Sequence, residues 1–220
     1  MHLLSHFLRL FFHLLYHPFA WTYNLVSWTV SLGRWKDWVK SVVPFIEGNR
    51  VLELGHGPGH LQHILRGLNL LTVGLDESRQ MGFLAKRNLH DSGYTQNDLI
   101  RGLGQDLPFP TEVFDTVVAT FPTEYIFESR SLSEVHRVLT NGGRLIVLPV
   151  AWITGADLLN KVAAWLFRVT GQAPSDLSQE AINRLVEPFS KVGFKVQTEQ
   201  LEVKSSLVLI VIAEKRGINV

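Results

Sequence analysis

Gly55-His56-Gly57-Pro58-Gly59 sets three glycines in five residues, and the carboxylate of Asp76 follows about 20 residues on, the spacing that suits a ribose grip. Glycines permit a tight turn and let backbone N–H groups approach a ligand with no Cβ in the way. A helix starting just after such a turn aims the positive end of its dipole at the same place. A carboxylate has two oxygens, enough to accept from both vicinal hydroxyls of a sugar. Together these groups point to a bound nucleoside. The competing reading is a tight strand–helix turn whose acid only caps a helix beginning near Ser78.

The elements needed to position these groups are visible around them. Val51-Leu52-Glu53-Leu54 is a short apolar run suited to a buried parallel strand. Residues 60–66 have helical spacing, and a second buried strand over 70–75 delivers Asp76 at its end. Further on, Leu158, Leu159, Val162, Trp165, Leu166 and Val169 make a helical stripe ended by Gly171 and Pro174, and 178–186 predicts a short helix.

The third glycine comes one residue earlier than in the dinucleotide fingerprint G-x-G-x-x-G, and His60 stands in its place. Glu53 through Gly59 instead resembles the first motif of class I S-adenosylmethionine-dependent methyltransferases, an acid, one residue, then G-x-G-x-G. Leu107-Pro108-Phe109-Pro110 with Phe114-Asp115-Thr116-Val117-Val118-Ala119 resembles that family's approach to its fourth strand. The segment from Glu134 to Leu145, with Gly142-Gly143, resembles its helix, glycine turn and fifth strand, and 194–200 with 206–214 resembles its closing antiparallel pair. The likeness is nearest to the broad group that includes quinone-biosynthesis methyltransferases.

That resemblance implies an α/β, Rossmann-like, doubly wound and mostly parallel seven-stranded sheet of order 3-2-1-4-5-7-6, with the last strand antiparallel. It implies S-adenosylmethionine as cofactor and methyl transfer as the activity. Gly55, Gly57 and Gly59 would pass beneath the methionine and ribose portions, with His56 in contact, Glu53 holding the loop and the amino group, and Asp76 the ribose. The triplet Gly102-Leu103-Gly104 has leucine where the family often has an adenine-binding acid, so adenine would rely on backbone groups and on Gln105 or Asp106. Thr120 and Phe121 end the fourth strand at the edge where open α/β sheets bind ligands. Phe121 and Tyr125 present π faces suited to a sulfonium, and Glu124 or Tyr125 would take a proton from an oxygen acceptor. Loop packing is the plainer role for each.

Composition adds limits. A net charge of +1 offers no general attraction for nucleic acid, and zero cysteines exclude disulfides, thiolate metal sites and cysteine nucleophiles. Residues 1–33 carry one charged side chain, Arg9, beside four of the nine histidines. Leu3, Phe7, Leu10, Phe11, Leu14 and Leu15 form one helical stripe over 2–17, with histidines and Arg9 opposite; Pro18 follows, then a run of aromatic residues with Arg34, Lys36 and Lys40.

A segment 1–44 is therefore expected as a membrane-interfacial anchor or a lid, ahead of a catalytic domain at 45–220, in a cytoplasmic protein peripheral on a membrane. A transmembrane span is disfavoured by Pro18 and the histidines, and a signal peptide by the lack of a basic n-region. The i,i+4 histidine pairs read as a solvated face, so no metal is expected. The expected partner is a hydrophobic small-molecule or lipid methyl acceptor. Two rivals stand beside this: a nicotinamide-dependent oxidoreductase, and a methyltransferase-like module that binds without catalysing.

Overall fold

The computed structural model describes residues 31–95, 98–154 and 179–216. The helices expected over 2–17 and 158–169 lie outside the described residues. Within them, seven strands form one sheet: β1 (Arg50–Leu54), β2 (Leu71–Asp76), β3 (Leu99–Arg101), β4 (Phe114–Thr120), β5 (Leu139–Ile153), β6 (Phe194–Glu202) and β7 (Ser206–Lys215). Their order is β3-β2-β1-β4-β5-β7-β6, as the resemblance implies. The pairs from β3 through β5 are parallel, while β7 runs antiparallel to both β5 and β6.

Helices α1 (Trp35–Lys40), α2 (His60–Gly67), α3 (Arg79–Asp91), α4 (Ser129–Val138) and α5 (Gln179–Lys191) accompany the sheet. Alternation along the strands sorts the core into two layers. Leu52, Leu54, Val117 and Ala119 meet Leu132, Val135 and Phe189 on one face. Val51 and Val118 meet Trp38, Val39, Leu61 and Leu65 on the other. Helix α1 is thus packed against the sheet through Trp38 and Val39, which are fully buried.

Local signals explain the boundaries. Ser78 caps α3 by accepting from the Met81 N–H at 3.3 Å, so the serine hydroxyl fills the capping role that the competing reading gave to Asp76. The Gly142-Gly143 turn is absorbed into β5: Leu139 faces Phe114, yet Arg144 already faces Thr116. Gly142 takes φ +75° there, which a side chain would resist. Helix α5 extends beyond the expected 178–186, running through Pro188 to Lys191 because Phe189 is buried in the core. At the opposite end of the sheet, the Asp115 carboxylate accepts from the Asn49 and Arg50 N–H groups, tying β4 to the start of β1. The Arg50 guanidinium beside it holds that carboxyl down at about 2.

Candidate active site

The glycine loop leaves β1 at its carboxyl end and is fastened by backbone bonds. Gly55 N–H donates to Leu75 O at 2.7 Å, joining the loop to β2. Gly57 N–H donates to Asp76 Oδ2 and Ser78 N–H to Asp76 Oδ1, each at 2.8 Å. Asp76 is therefore fixed between the loop and the start of α3, and each oxygen keeps a lone pair for a further donor. The three glycines have φ of +69°, +51° and +84°, all left-handed. A Cβ on Gly59 would lie 3.1 Å from Ala85 Cβ, whereas one on Gly57 would meet nothing within 4 Å. Gly59 lets α3 come close; Gly57 leaves its face open.

Beneath the loop lies an acid of a different kind. Glu53 is 1% exposed, with Oε2 buried and without a hydrogen-bond partner. Burial pushes its carboxyl up to about 8, opposed by a hydrogen bond from Gln62 and reinforced by the charge of Asp76. It is held neutral at pH 7, beside the equally unpartnered Gln62 Oε1. His56 is also buried, and burial lowers its pKa against the pull of Asp76. Its Nδ1 lies 2.8 Å from the Gly57 carbonyl, which can only accept, so the ring proton sits on that nitrogen. His60 opens α2, lowered by burial and then by Lys36 and His63. A cleft of about 110 Å³ lies beside these groups, lined by His56, Asp76, Ser78, Lys86 and Arg101 among others.

The end of β4 is built from rings. The parallel pairing of β1 with β4, which reaches Glu53↔Val118, puts Thr120 and Phe121 at the same sheet edge as the glycine loop. Phe121 has φ +49°, and its N–H donates to Leu148 O at 2.7 Å. A bulky side chain in that region stores about 1–3 kcal/mol of strain that its surroundings must offset. Trp35 from α1 stacks on it, centroids 4.3 Å apart at 29°, and Trp38 closes the cluster at 6.1 Å. Glu124 is exposed, in a short 3-10 turn (Glu124–Phe127). Tyr125 reaches back across the cleft: a Cβ on Gly104 would lie 2.8 Å from its ring, and one on Gly55 3.2 Å from its hydroxyl.

The segment after β3 is clamped from α4. Arg137 donates to the carbonyls of Leu107 and Phe109, and Glu134 accepts the Leu107 N–H. Gln105 donates to Glu128 Oε2 at 3.0 Å, Asp106 is exposed, and Leu103 is 51% exposed. Gly55, Gly57, Asp76, Thr120, Phe121 and Tyr125 thus meet along one edge, while the Gln105 side chain is engaged with α4. Sequence reasoning missed Trp35, Gln62 and Arg137. Their partners are distant in the chain, and only the folded contacts reveal them.

The cradle offers an open glycine face and a carboxylate fixed by two backbone N–H groups, with room for the hydroxyls of a nucleoside. Among the described residues, no group of three or more histidine, aspartate or glutamate side chains could hold a metal ion, and no helix is long and apolar enough to cross a membrane.

The family model described as "Methyltransferase domain" matches residues 52–147. The demethylmenaquinone methyltransferase of Thermotoga maritima is 29% identical over 209 residues, covering 85% of this chain and 89% of that protein. A phthiotriol/phenolphthiotriol dimycocerosates methyltransferase of Mycobacterium ulcerans is 35% identical over 142 residues, covering 63% of this chain and 49% of its own length. Two further relatives are spanned over 57% and 56% of theirs. A crystal structure from Methanococcus maripaludis, assigned to the S-adenosyl-L-methionine-dependent methyltransferases, superposes with TM-score 0.63 at 19% identity, covering 87% of this chain and 90% of that one.

Proposed function

Since the chain belongs to the class I S-adenosylmethionine-dependent methyltransferases, we propose that its glycine-loop edge holds the methyl donor and that the end of β4 presents a hydrophobic small-molecule or lipid acceptor. The observation that carries this is Asp76, fixed by the Gly57 and Ser78 N–H groups at the mouth of an open glycine loop. S-adenosylmethionine brings a methyl already activated on a sulfonium, so the protein's work is to position and desolvate.

Asp76 would accept from the ribose hydroxyls with the lone pairs its backbone partners leave free. Gly55, Gly57 and Gly59 keep Cβ atoms out of the donor's path, and His56 seals the loop from behind. Glu53 supports the loop from within the sheet and, once ionised, would face the donor's ammonium. Gln105, Asp106 and the backbone of 102–104 would border the adenine. Thr120 and Phe121 wall the transfer site. Exposed Glu124 would take the proton released by an oxygen acceptor and pass it to solvent, with the Tyr125 hydroxyl beside the loop as the other candidate.

The relatives' names support an apolar acceptor, since a demethylmenaquinone and a dimycocerosate are both lipid-like. Within the expected 1–44 segment, Trp38 and Val39 pack on the sheet, and the apolar, aromatic sequence ahead of them fits a place at a membrane surface as anchor or lid. Flotation of the full chain with liposomes is the expected outcome; a chain that stays at the bottom of the gradient removes the anchor.

Calorimetric titration tests the donor site. We expect micromolar binding of S-adenosylmethionine and S-adenosylhomocysteine, and loss of both in Asp76→Ala. Binding of NADH instead would revive the oxidoreductase. Labelled methyl transfer is then measured to a demethylmenaquinol in detergent and to histamine in water. Label in the organic phase is expected; label only in the aqueous phase rejects a hydrophobic acceptor. Donor binding with transfer to neither would favour a module that binds without catalysing.

A further inference from the structure

The stacked pair at the end of β4 ties α1 to the sheet edge from which the glycine loop leaves. Phe121 sits in a left-handed backbone conformation at φ +49°, where a phenylalanine does not rest without cause. Its N–H is tied to Leu148 O at 2.7 Å, and the Trp35 ring lies on it with 4.3 Å between centroids. Trp38, 1% exposed, packs tilted against both rings, at 54° and 53°, and belongs to the core. Trp35 differs. It is only half-buried, at the start of α1, and α1 is itself tethered by the Lys204–Asp37 ion pair at 2.6 Å. Trp35 packs at the margin of the core and stacks on a residue whose backbone is strained, so it is placed to aim that ring.

We propose that Trp35 is a positioning residue for the methyl donor: stacked on Phe121, it holds that ring at the end of β4 as a wall whose π face favours the positively charged donor over its neutral product. This rests on the assignment of the glycine-loop edge as the donor site. Strands β1 and β4 are parallel neighbours, so Phe121 and the loop that leaves β1 lie at the same edge of the sheet, where the donor's charged centre must lie for its methyl to reach an acceptor at the end of β4. An aromatic face attracts a cation and is indifferent to a neutral thioether. Such a wall would also hasten exchange, because the product, having lost its charge, is held less tightly than the donor that replaces it.

The test is a comparison of two ligands that differ in one methyl and one charge. The full chain is titrated with S-adenosylmethionine and S-adenosylhomocysteine as wild type, Trp35→Ala, Trp35→Phe and Phe121→Leu. Trp35→Ala is expected to weaken the charged ligand by about fivefold, a loss within the span of a partly desolvated cation–π contact, and to leave the neutral one within about twofold. Trp35→Phe should restore most of the preference, and Phe121→Leu should abolish it while keeping the apolar volume.

Equal weakening of both ligands in Trp35→Ala would mean that Trp35 only supports the fold, and would overturn the proposal. So would an unchanged ratio in Phe121→Leu, which decides the matter if Trp35→Ala does not fold. Failure of the donor site itself is distinguishable, because the wild type would then bind neither ligand.

Discussion

The two walls of the site are made of different material. Around β1 and β2 the contacts are backbone groups: Gly55, Gly57 and Ser78 donate N–H groups to Leu75 O and Asp76, and the glycines leave room for them. At the end of β4 the contacts are side chains, with Trp35 stacked on a Phe121 whose backbone is left-handed. A backbone cradle depends on turn geometry and so can serve one invariant ligand. A wall of rings depends on which side chains arrive from elsewhere, and can be re-cut for each acceptor without touching the cradle.

Glu53 puts the cradle side to its hardest test. Its carboxyl is raised from 4.5 to about 8. The folded chain therefore keeps a proton that the unfolded chain gives up, so its contribution is fully present below pH 4.5 and is lost as pH rises towards 8. The slope is about 1.4 kcal/mol per pH unit across that window. Glu53→Gln carries the same shape without the titration, and its amide can donate to Gln62 Oε1, which lacks a partner. We expect wild type to lose about 3 kcal/mol more than the variant between pH 5 and pH 8, measured by urea unfolding. Parallel pH profiles would show that the buried acid is not neutral.

A smaller effect separates the glycines. Gly59→Ala should cost about 2 kcal/mol of stability, from a left-handed backbone and the 3.1 Å approach to Ala85, with donor affinity nearly kept. Gly57→Ala should cost only about 1 kcal/mol, because its new methyl meets nothing, yet weaken the donor by about tenfold. Thermal unfolding and calorimetry on the two variants read both numbers. The reverse pattern would mean that Gly59, not Gly57, faces the ligand.

What could be foreseen follows the same division. The glycine loop and Asp76 are written in short contiguous runs, because a tight turn and a buried parallel strand constrain neighbours in the chain, whereas the strand order was legible only through the likeness to a known family. Trp35 on Phe121, Gln62 beside Glu53, and Arg137 holding the carbonyls of Leu107 and Phe109 join residues with no common local pattern. Tyr125 was foreseen at the site, but its reach across Gly104 to Gly55 depends on the bend of a 3-10 turn that its own sequence does not announce.

The placing of β7 between β5 and β6 has a consequence for how the chain assembles. During synthesis β6 emerges before the strand it pairs with, so it has no partner until β7 follows and docks on β5. Strands β1 to β5 can join as each appears, with β3 docking at the edge of β2. The antiparallel pair must close last and over a long stretch of chain, which slows that step and leaves the flank of β5, rich in Ile146, Val147 and Leu148, as the surface most in need of protection while it waits.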